Sequence, residues 1–271
     1  MTLMEIAAET VEIAERGTYL APSGRTVSIR EAVETARAGT RLYPPQATPS
    51  RPAVPSVGGK VRIDVTAEKT GEGARRLIRS EGLGDVLALN FASARNPGGG
   101  FLRGAKAQEE DLARCSALYA ALMTQPAYYT ANRAQESLLY TEHVIYSPRV
   151  PFFRDENLQL LEDPFPVSVI TAPAPNAGEV LSRDPAAGPI VRDVLRARAR
   201  RVLEVASAHG HRSLVLGAWG CGVFRNDPVE VAEAFGLALD AMAGVFDRVL
   251  FAVYERSGDG PNLRAFQAKF G

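Results

Sequence analysis

Apolar and polar positions recur along this chain in two periods, and the period changes from segment to segment. Over residues 4–15, Ile6, Ala7, Val11 and Ile13 return among glutamates at helical spacing, which predicts an amphipathic helix. A second short helix is expected over Ser28–Arg37. Leu42–Pro55 then carries five prolines, so it reads as an extended, helix-poor connector into a main domain. From residue 60 strands and helices alternate. Val61–Val65 reads as strand, Gly71–Glu81 as helix with Thr70 as its N-cap, and Val86–Phe91 as a buried apolar strand. A glycine-rich loop at 95–107 leads into a helix from Gln108 to Met123. Strands follow at Val144–Tyr146 and Val167–Thr171, then a long helix over Pro185–His209. Leu214–Leu216 is a strand running into a second glycine-rich loop, 217–227. Pro228–Ala243 is helical, Val249–Tyr254 a strand and Leu263–Phe270 a closing helix.

This alternation implies an α/β fold with one central sheet between helices. Two units are expected: an N-terminal helical extension with its Pro-rich connector over 1–55, and a main domain over 56–271. Ligands of such sheets bind beyond the carboxyl ends of strands, where both glycine-rich loops fall.

Charge narrows the function only by exclusion. Lys plus Arg and Asp plus Glu are 31 each, so there is no basic excess of the kind a dedicated nucleic-acid binder carries. A polyanion bound here must be met by local groups. Cys115 and Cys221 form no CxxC pair, and a reduced cytoplasm is the simpler expectation. Met1–Glu15 carries Glu5, Glu9, Glu12 and Glu15 and lacks a signal-peptide pattern, and no run approaches a membrane span of ~18 apolar residues. His209 and His211 have no further Cys or His close in sequence, so no metal is expected. Arg192, Arg196, Arg198, Arg200 and Arg201 read as a solvated helix face, with a polymer landing surface as the alternative.

The first loop and the helix start after it contain Asn96, Gly98, Gly99, Gly100, Gln108, Glu109 and Glu110. Three consecutive glycines are costly to order, and they allow close backbone approach with N–H groups free to face an anion or a sugar. An Asn side chain can both donate to and accept from ribose hydroxyls. Glu109 and Glu110 point about 100° apart on a helix, so they cannot flank one glycosidic bond from opposite faces. One of them must do the acid–base work while the other positions the sugar. A helix start favours ionised carboxylates, so burial would have to raise the pKa of an acid placed there. The plain alternatives are a flexible turn followed by acidic residues that serve the helix dipole.

The second loop, GAWGCGVFRNDP, follows a strand and precedes a helix, the arrangement of a diphosphate cradle. It is neither a dinucleotide fingerprint nor a Walker A loop. Phe224 offers a face for a sugar or simply packs in the core. Cys221 reads as a small residue in a tight loop rather than a nucleophile.

Together the two loops resemble the microbial poly(ADP-ribose) glycohydrolase family. The family signature, GGG and a short spacer before QEE, stands here as Gly98–Gly100, Phe101–Ala107 and Gln108-Glu109-Glu110. The second loop follows about 110 residues downstream, and the likeness covers roughly 60–271 well and 1–55 more weakly. The resemblance implies a macrodomain-like mixed sheet and hydrolysis of the ribose–ribose bond of poly(ADP-ribose), with ADP-ribose released mainly from chain ends. It implies Glu110 as the acid/base, Glu109 and Asn96 as holders of the terminal ribose, and Gly98, Gly99 and Gly100 beside that ribose. Gln108 belongs to the same ligand-binding element. Gly217, Ala218, Gly220, Cys221, Gly222, Val223 and Phe224 match the diphosphate loop, and Tyr254 the place of an adenine-stacking aromatic. Implied partners are poly(ADP-ribose), ADP-ribose and ADP-ribosylated proteins, with no cofactor, no membrane and no sequence-specific nucleic acid. Rival readings are a non-catalytic ADP-ribose reader, a hydrolase of single ADP-ribose units or O-acetyl-ADP-ribose, and a Rossmann-type nucleotide scaffold. The QEE element argues against the first two, and the glycine spacing against the third.

Overall fold

The computed structural model describes residues 1–47, 60–255 and 258–271. Helix α1 (Leu3–Arg16) begins at a capping box: the Glu5 N–H donates to Thr2 Oγ1 (3.2 Å), and the Thr2 N–H to the Glu5 carboxylate (2.6 Å). It ends at Gly17 in the left-handed conformation. A hairpin of β1 (Thr18–Leu20) and β2 (Thr26–Ser28) follows, then α2 (Arg30–Gly39) and β3 (Arg41–Tyr43). The chain continues through β4 (Arg62–Thr66), α3 (Thr70–Arg79), β5 (Leu87–Phe91), α4 (Gln108–Cys115), α5 (Leu118–Leu122) and α6 (Pro126–Arg133). Strands β6 (Val144–Arg154) and β7 (Leu160–Ala172) form a long antiparallel pair. The last elements are α7 (Ala177–Arg183), α8 (Gly188–Ala208), β8 (Ser213–Leu216), α9 (Pro228–Ala241), β9 (Arg248–Ala252) and α10 (Pro261–Phe270).

Among the described residues one seven-stranded sheet runs β3-β6-β7-β5-β8-β9-β4. The stretch from β7 to β4 is parallel, and β6 and β3 are added antiparallel. The central strands alternate their apolar residues between two layers. Leu87, Leu89, Leu214, Leu216 and Phe251 pack with Leu195, Phe235 and Phe266 of α8, α9 and α10. Ala88, Val215 and Leu250 pack with Leu77, Leu112 and Leu118 of α3, α4 and α5. This is the mixed α/β sheet between helices that the alternation predicted, with β5, β8 and β9 ending on one rim.

Several elements differ from expectation for local reasons. The helix expected over 108–123 breaks at Ser116, whose extended backbone (φ −148°, ψ 176°) bridges to Phe152. Strands β6 and β7 run well past 144–146 and 167–171: Pro148 and Pro164 fall at register shifts, while Pro151 and Pro166 stand opposite each other in register. Lys69, not Thr70, caps α3, and Thr70 lies buried in the first turn. A 3-10 turn (Pro185–Ala187) precedes α8, and α6, α7 and the β1–β2 hairpin carry no clear period in the sequence. The expected connector begins inside the sheet, since Leu42 pairs with Ile145, and its residues 48–55 lie outside the described residues.

The arginine run on α8 is not one solvated face. Arg198 and Arg201 are buried and donate to main-chain carbonyls of Pro173 (2.7 Å) and Glu142 (2.9 Å), while Arg200 pairs with Glu204 (2.8 Å). At 3.6 residues per turn Arg192, Arg196 and Arg200 share the outer face of the helix while Arg198 and Arg201 turn inward, so the run in sequence is divided between two faces. Helix α1 is pinned to the main layer from the side. Thr10 Oγ1 donates to the Arg114 carbonyl (2.8 Å), and the buried Arg154 guanidinium meets Glu9, Thr10 and the Leu158 carbonyl. No helix among the described residues is long and apolar enough to cross a membrane.

Candidate active site

The first functional feature is a clamp at the end of β5. Gln108 opens α4 and uses its amide like an added peptide unit. Its Nε2 donates to the Leu89 carbonyl (2.7 Å) and to Thr70 Oγ1 (3.0 Å), and its Oε1 accepts the Phe91 N–H (2.8 Å). All of these bonds are internal, so Gln108 fixes the helix start rather than reserving its amide for a ligand. That clamp sets the two glutamates after it at the floor of a cleft of about 800 Å³.

Glu109 points inward and is 2% exposed. Its carboxyl accepts from Asn90 Nδ2 (3.1 Å) and from the Ser93 N–H (2.6 Å). Burial outweighs these bonds and pushes its pKa up to about 8, with the neighbouring Glu110 adding to the rise. Glu109 therefore holds a proton at neutral pH. Glu110 is 8% exposed, and its two oxygens accept the N–H groups of Gly100 (2.8 Å) and Ala107 (3.0 Å). The pair thus occupies two environments: one carboxyl sunk behind the loop, the other held at its surface by main-chain donors.

Gly99 is explained by these carboxyls, and its neighbours by side chains packed on the loop: Phe101 and Tyr119 at Gly98, Ala105 at Gly100. Gly98 and Gly99 have φ of 67° and 61°, and a Cβ on Gly99 would stand 2.3 Å from Glu110 Oε1 and 3.1 Å from Glu109 Oε2. The sequence suggested N–H groups free for an anion or a sugar. Instead the Gly100 N–H serves Glu110, and those of Gly99 and Phe101 close turns onto Asn96 and Gly98. Asn96 is exposed at the cleft, and its side chain makes no hydrogen bond among the described residues.

The free donors stand on the second loop. Trp219 is buried and anchors it, its indole N–H donating to the Ala172 carbonyl (3.1 Å). Asn226 ties it to the Pro175 carbonyl (2.8 Å) and the Gly220 carbonyl (3.1 Å). Gly217 lies tight against β9, where a Cβ would stand 2.5 Å from the Ala252 carbonyl oxygen. Among the described residues the N–H groups of Gly222, Val223 and Phe224 find no acceptor, and all three residues line the cleft. Consecutive unspent N–H groups make an anion-binding concavity. Ala218, Gly220 and Tyr254 also line the cleft, whereas Gly98, Gly217 and Cys221 stand behind its surface. The Cys221 thiol is raised in pKa by burial, which leaves it a poor nucleophile. Tyr254 is 56% exposed, with Lys69 Nζ 5.8 Å from its ring centroid.

The motifs did not mark Thr70, Asn90 and Ser93, which complete the glutamate scaffold from three separate elements. Only the position of Asn90 at the end of an apolar strand hinted at it. Leu3 of α1, with Lys69, Arg103, Lys106 and Arg114, also borders the cleft. The two histidines considered for a metal lie elsewhere. His211 bonds Asp85 (2.7 Å) and Tyr146 (2.8 Å), and His209 bonds Tyr43 (2.7 Å). No group of three or more metal-ligating side chains is assembled among the described residues.

One cleft at strand ends thus brings together a carboxyl pair and a run of unspent main-chain N–H groups, groups suited to acid–base chemistry and to an anion. The family model for the microbial-type PARG catalytic domain matches residues 7–155. The structure superposes on poly(ADP-ribose) glycohydrolase from Thermomonospora curvata with a TM-score of 0.92, at 49% identity over 99% of each chain. The same enzyme bound to the inhibitor ADP-HPD gives 0.89, at 50% identity over 99% of each chain. The enzyme from Deinococcus radiodurans in complex with ADP-ribose gives 0.79, at 47% identity over 90% of this chain and 98% of that one. No curated protein matches in the sequence comparison. The chain belongs to the microbial-type poly(ADP-ribose) glycohydrolase family.

Two glycines separate the scaffold from the cradle. Gly99→Ala forces a left-handed alanine into the glutamate pair and should cost about 1–3 kcal/mol of stability. Gly222→Ala meets no atom within 4 Å and should leave the denaturation midpoint unchanged. Equal midpoints for the two variants would contradict the assigned packing.

Proposed function

We propose that the chain hydrolyses the ribose–ribose glycosidic bond of poly(ADP-ribose) with Glu110 as acid and then base. The observation that carries this reading is a carboxyl pair and three unspent N–H groups lining one cleft. Glu110 is the more exposed of the two glutamates, and both line the cleft. It donates a proton to the leaving 2′-oxygen of the preceding unit as the C1″–oxygen bond breaks. The terminal ribose takes on oxocarbenium character. Glu110, now ionised, removes a proton from the water that attacks C1″. The two carboxyls share one site, and the proton that burial retains on Glu109 belongs to the pair. Glu109 and Asn96 hold the hydroxyls of the ribose, and the N–H groups of residues 222–224 hold the diphosphate against the second loop. Phe224 packs on the ribose face, and Tyr254 offers its ring to the adenine.

Cleavage takes place mainly at chain ends. Leu3 of α1 borders the cleft and Met4 stands against Gly104, so the N-terminal helix walls the groove beside the first loop. Substrate is poly(ADP-ribose) carried on modified proteins. The free thiols Cys115 and Cys221 suit a cytoplasmic, reducing setting.

Release of ADP-ribose from the purified polymer tests the reading. Glu110→Ala should still bind ADP-ribose by calorimetry and cleave at least about a hundredfold more slowly than wild type. A wild type that binds ADP-ribose and releases none would make the chain a reader instead. Removing residues 1–16 should add oligomeric products to the released ADP-ribose on a sizing gel. A truncated protein that still binds ADP-ribose and yields only monomer would remove α1 as the cause of end-on cleavage.

A further inference from the structure

We infer that Arg103 and Lys106 form a second phosphate subsite, one that holds the diphosphate of the polymer unit on the leaving side of the scissile bond. The inference rests on the reading of Glu110 as the acid. The cations around the cleft fall into two groups. Lys69 pairs with Asp111 (3.2 Å), and Arg114 is buried with its guanidinium on the carbonyls of Glu110 and Ala105. Arg103 and Lys106 are exposed, line the cleft, and make neither an ion pair nor a side-chain hydrogen bond among the described residues. Their charge is uncommitted.

Their place on the chain decides what that charge faces. Both sit between Gly100 and Ala107, the residues whose N–H groups hold the Glu110 carboxylate. The free N–H groups of residues 222–224 line the same cleft from the second loop and serve the unit that is being released. A 2′-oxygen leaving at Glu110 belongs to the preceding adenosine, whose own 5′-diphosphate must pass over the 100–107 loop. Arg103 supplies a planar fork that suits a phosphate edge, and Lys106 a compact charge. The same turn exposes Leu102 (45%), and Met4 (57%) lies beside it at Gly104, an apolar patch next to two cations. That combination fits a diphosphate joined to an aromatic base, the chemistry of the adjoining ADP-ribose unit.

The Arg103→Ala/Lys106→Ala double variant of the full chain tests this, with purified poly(ADP-ribose) as substrate and ADP-ribose as a single-unit ligand. The expected result is a KM on polymer raised about tenfold, with a shallower dependence on salt and kcat within about twofold of wild type. The Kd for ADP-ribose should stay at the wild-type value, which also shows that the variant is folded. The charge-keeping Arg103→Lys/Lys106→Arg variant should recover most of the polymer KM. An unchanged KM on polymer would overturn the subsite, and so would a Kd for ADP-ribose weakened as much as the KM. A wild type that releases no ADP-ribose from polymer defeats the functional reading and the subsite with it. A wild type that does release it leaves the variant to decide the subsite alone.

Discussion

The site depends on one constraint: two consecutive carboxyls must enter the edge of the core at the start of α4 with their oxygens met by fixed donors. Burying an ionised carboxylate without partners is prohibitive, and an internal donor to a charged group is worth about 1.5–3 kcal/mol. The chain meets this demand from the backbone. The N–H groups of Gly100 and Ala107 hold Glu110, while the Ser93 N–H and the Asn90 amide hold Glu109. For Glu109 the donors are not enough, and burial keeps it protonated. The consecutive glutamates thereby become different groups without any difference in their covalent chemistry, which is how environment assigns separate roles to paired carboxyls.

Much of the remaining fold follows from holding that arrangement still. Gln108 locks the helix start to β5 and, through Thr70, to α3. Gly99 lets the loop lie against the carboxyls, and Gly98 lets it turn over Phe101. Behind α4, Arg114 braces the main chain of Glu110 and Ala105, and Thr10 of α1 bonds the carbonyl of Arg114. The N-terminal segment is thus coupled to α4, and β3 adds it to the sheet as well. Glycohydrolase chemistry asks for such rigidity, because an acid misplaced by about 1 Å loses on the order of a hundredfold in rate.

The sequence made the central sheet legible because β5, β8 and β9 are short, apolar and free of proline. It misjudged the β6–β7 pair, whose four prolines are tolerated at two register shifts and at one position where Pro151 faces Pro166, an arrangement that no local pattern reveals. The single helix expected over 108–123 failed at Ser116 because the chain turns there to bridge β6, a tertiary contact. Both loops of the site were visible from their glycines. Their division of labour was not: the first loop spends the Gly100 and Ala107 N–H groups on Glu110, and the second keeps those of residues 222–224 free. That distinction depends on where hydrogen bonds end, and Asn90, Ser93 and Thr70 enter through it from distant points in the chain. The arginine run on α8 shows the same limit, since Arg198 and Arg201 turn inward to carbonyls that sequence cannot place.

The split environment of the glutamate pair can be read directly by a carbon-13 titration of labelled glutamate carboxyls, with Glu109→Gln used for assignment. One carboxyl should titrate with a midpoint near 8, absent from the variant. From 4.5 to about 8 the folded protein keeps a proton on Glu109 that the unfolded chain has released. Stability should therefore fall with rising pH across that window in the wild type, and less so in Glu109→Gln. Every glutamate titrating in the ordinary range near ~4.3 would contradict the account.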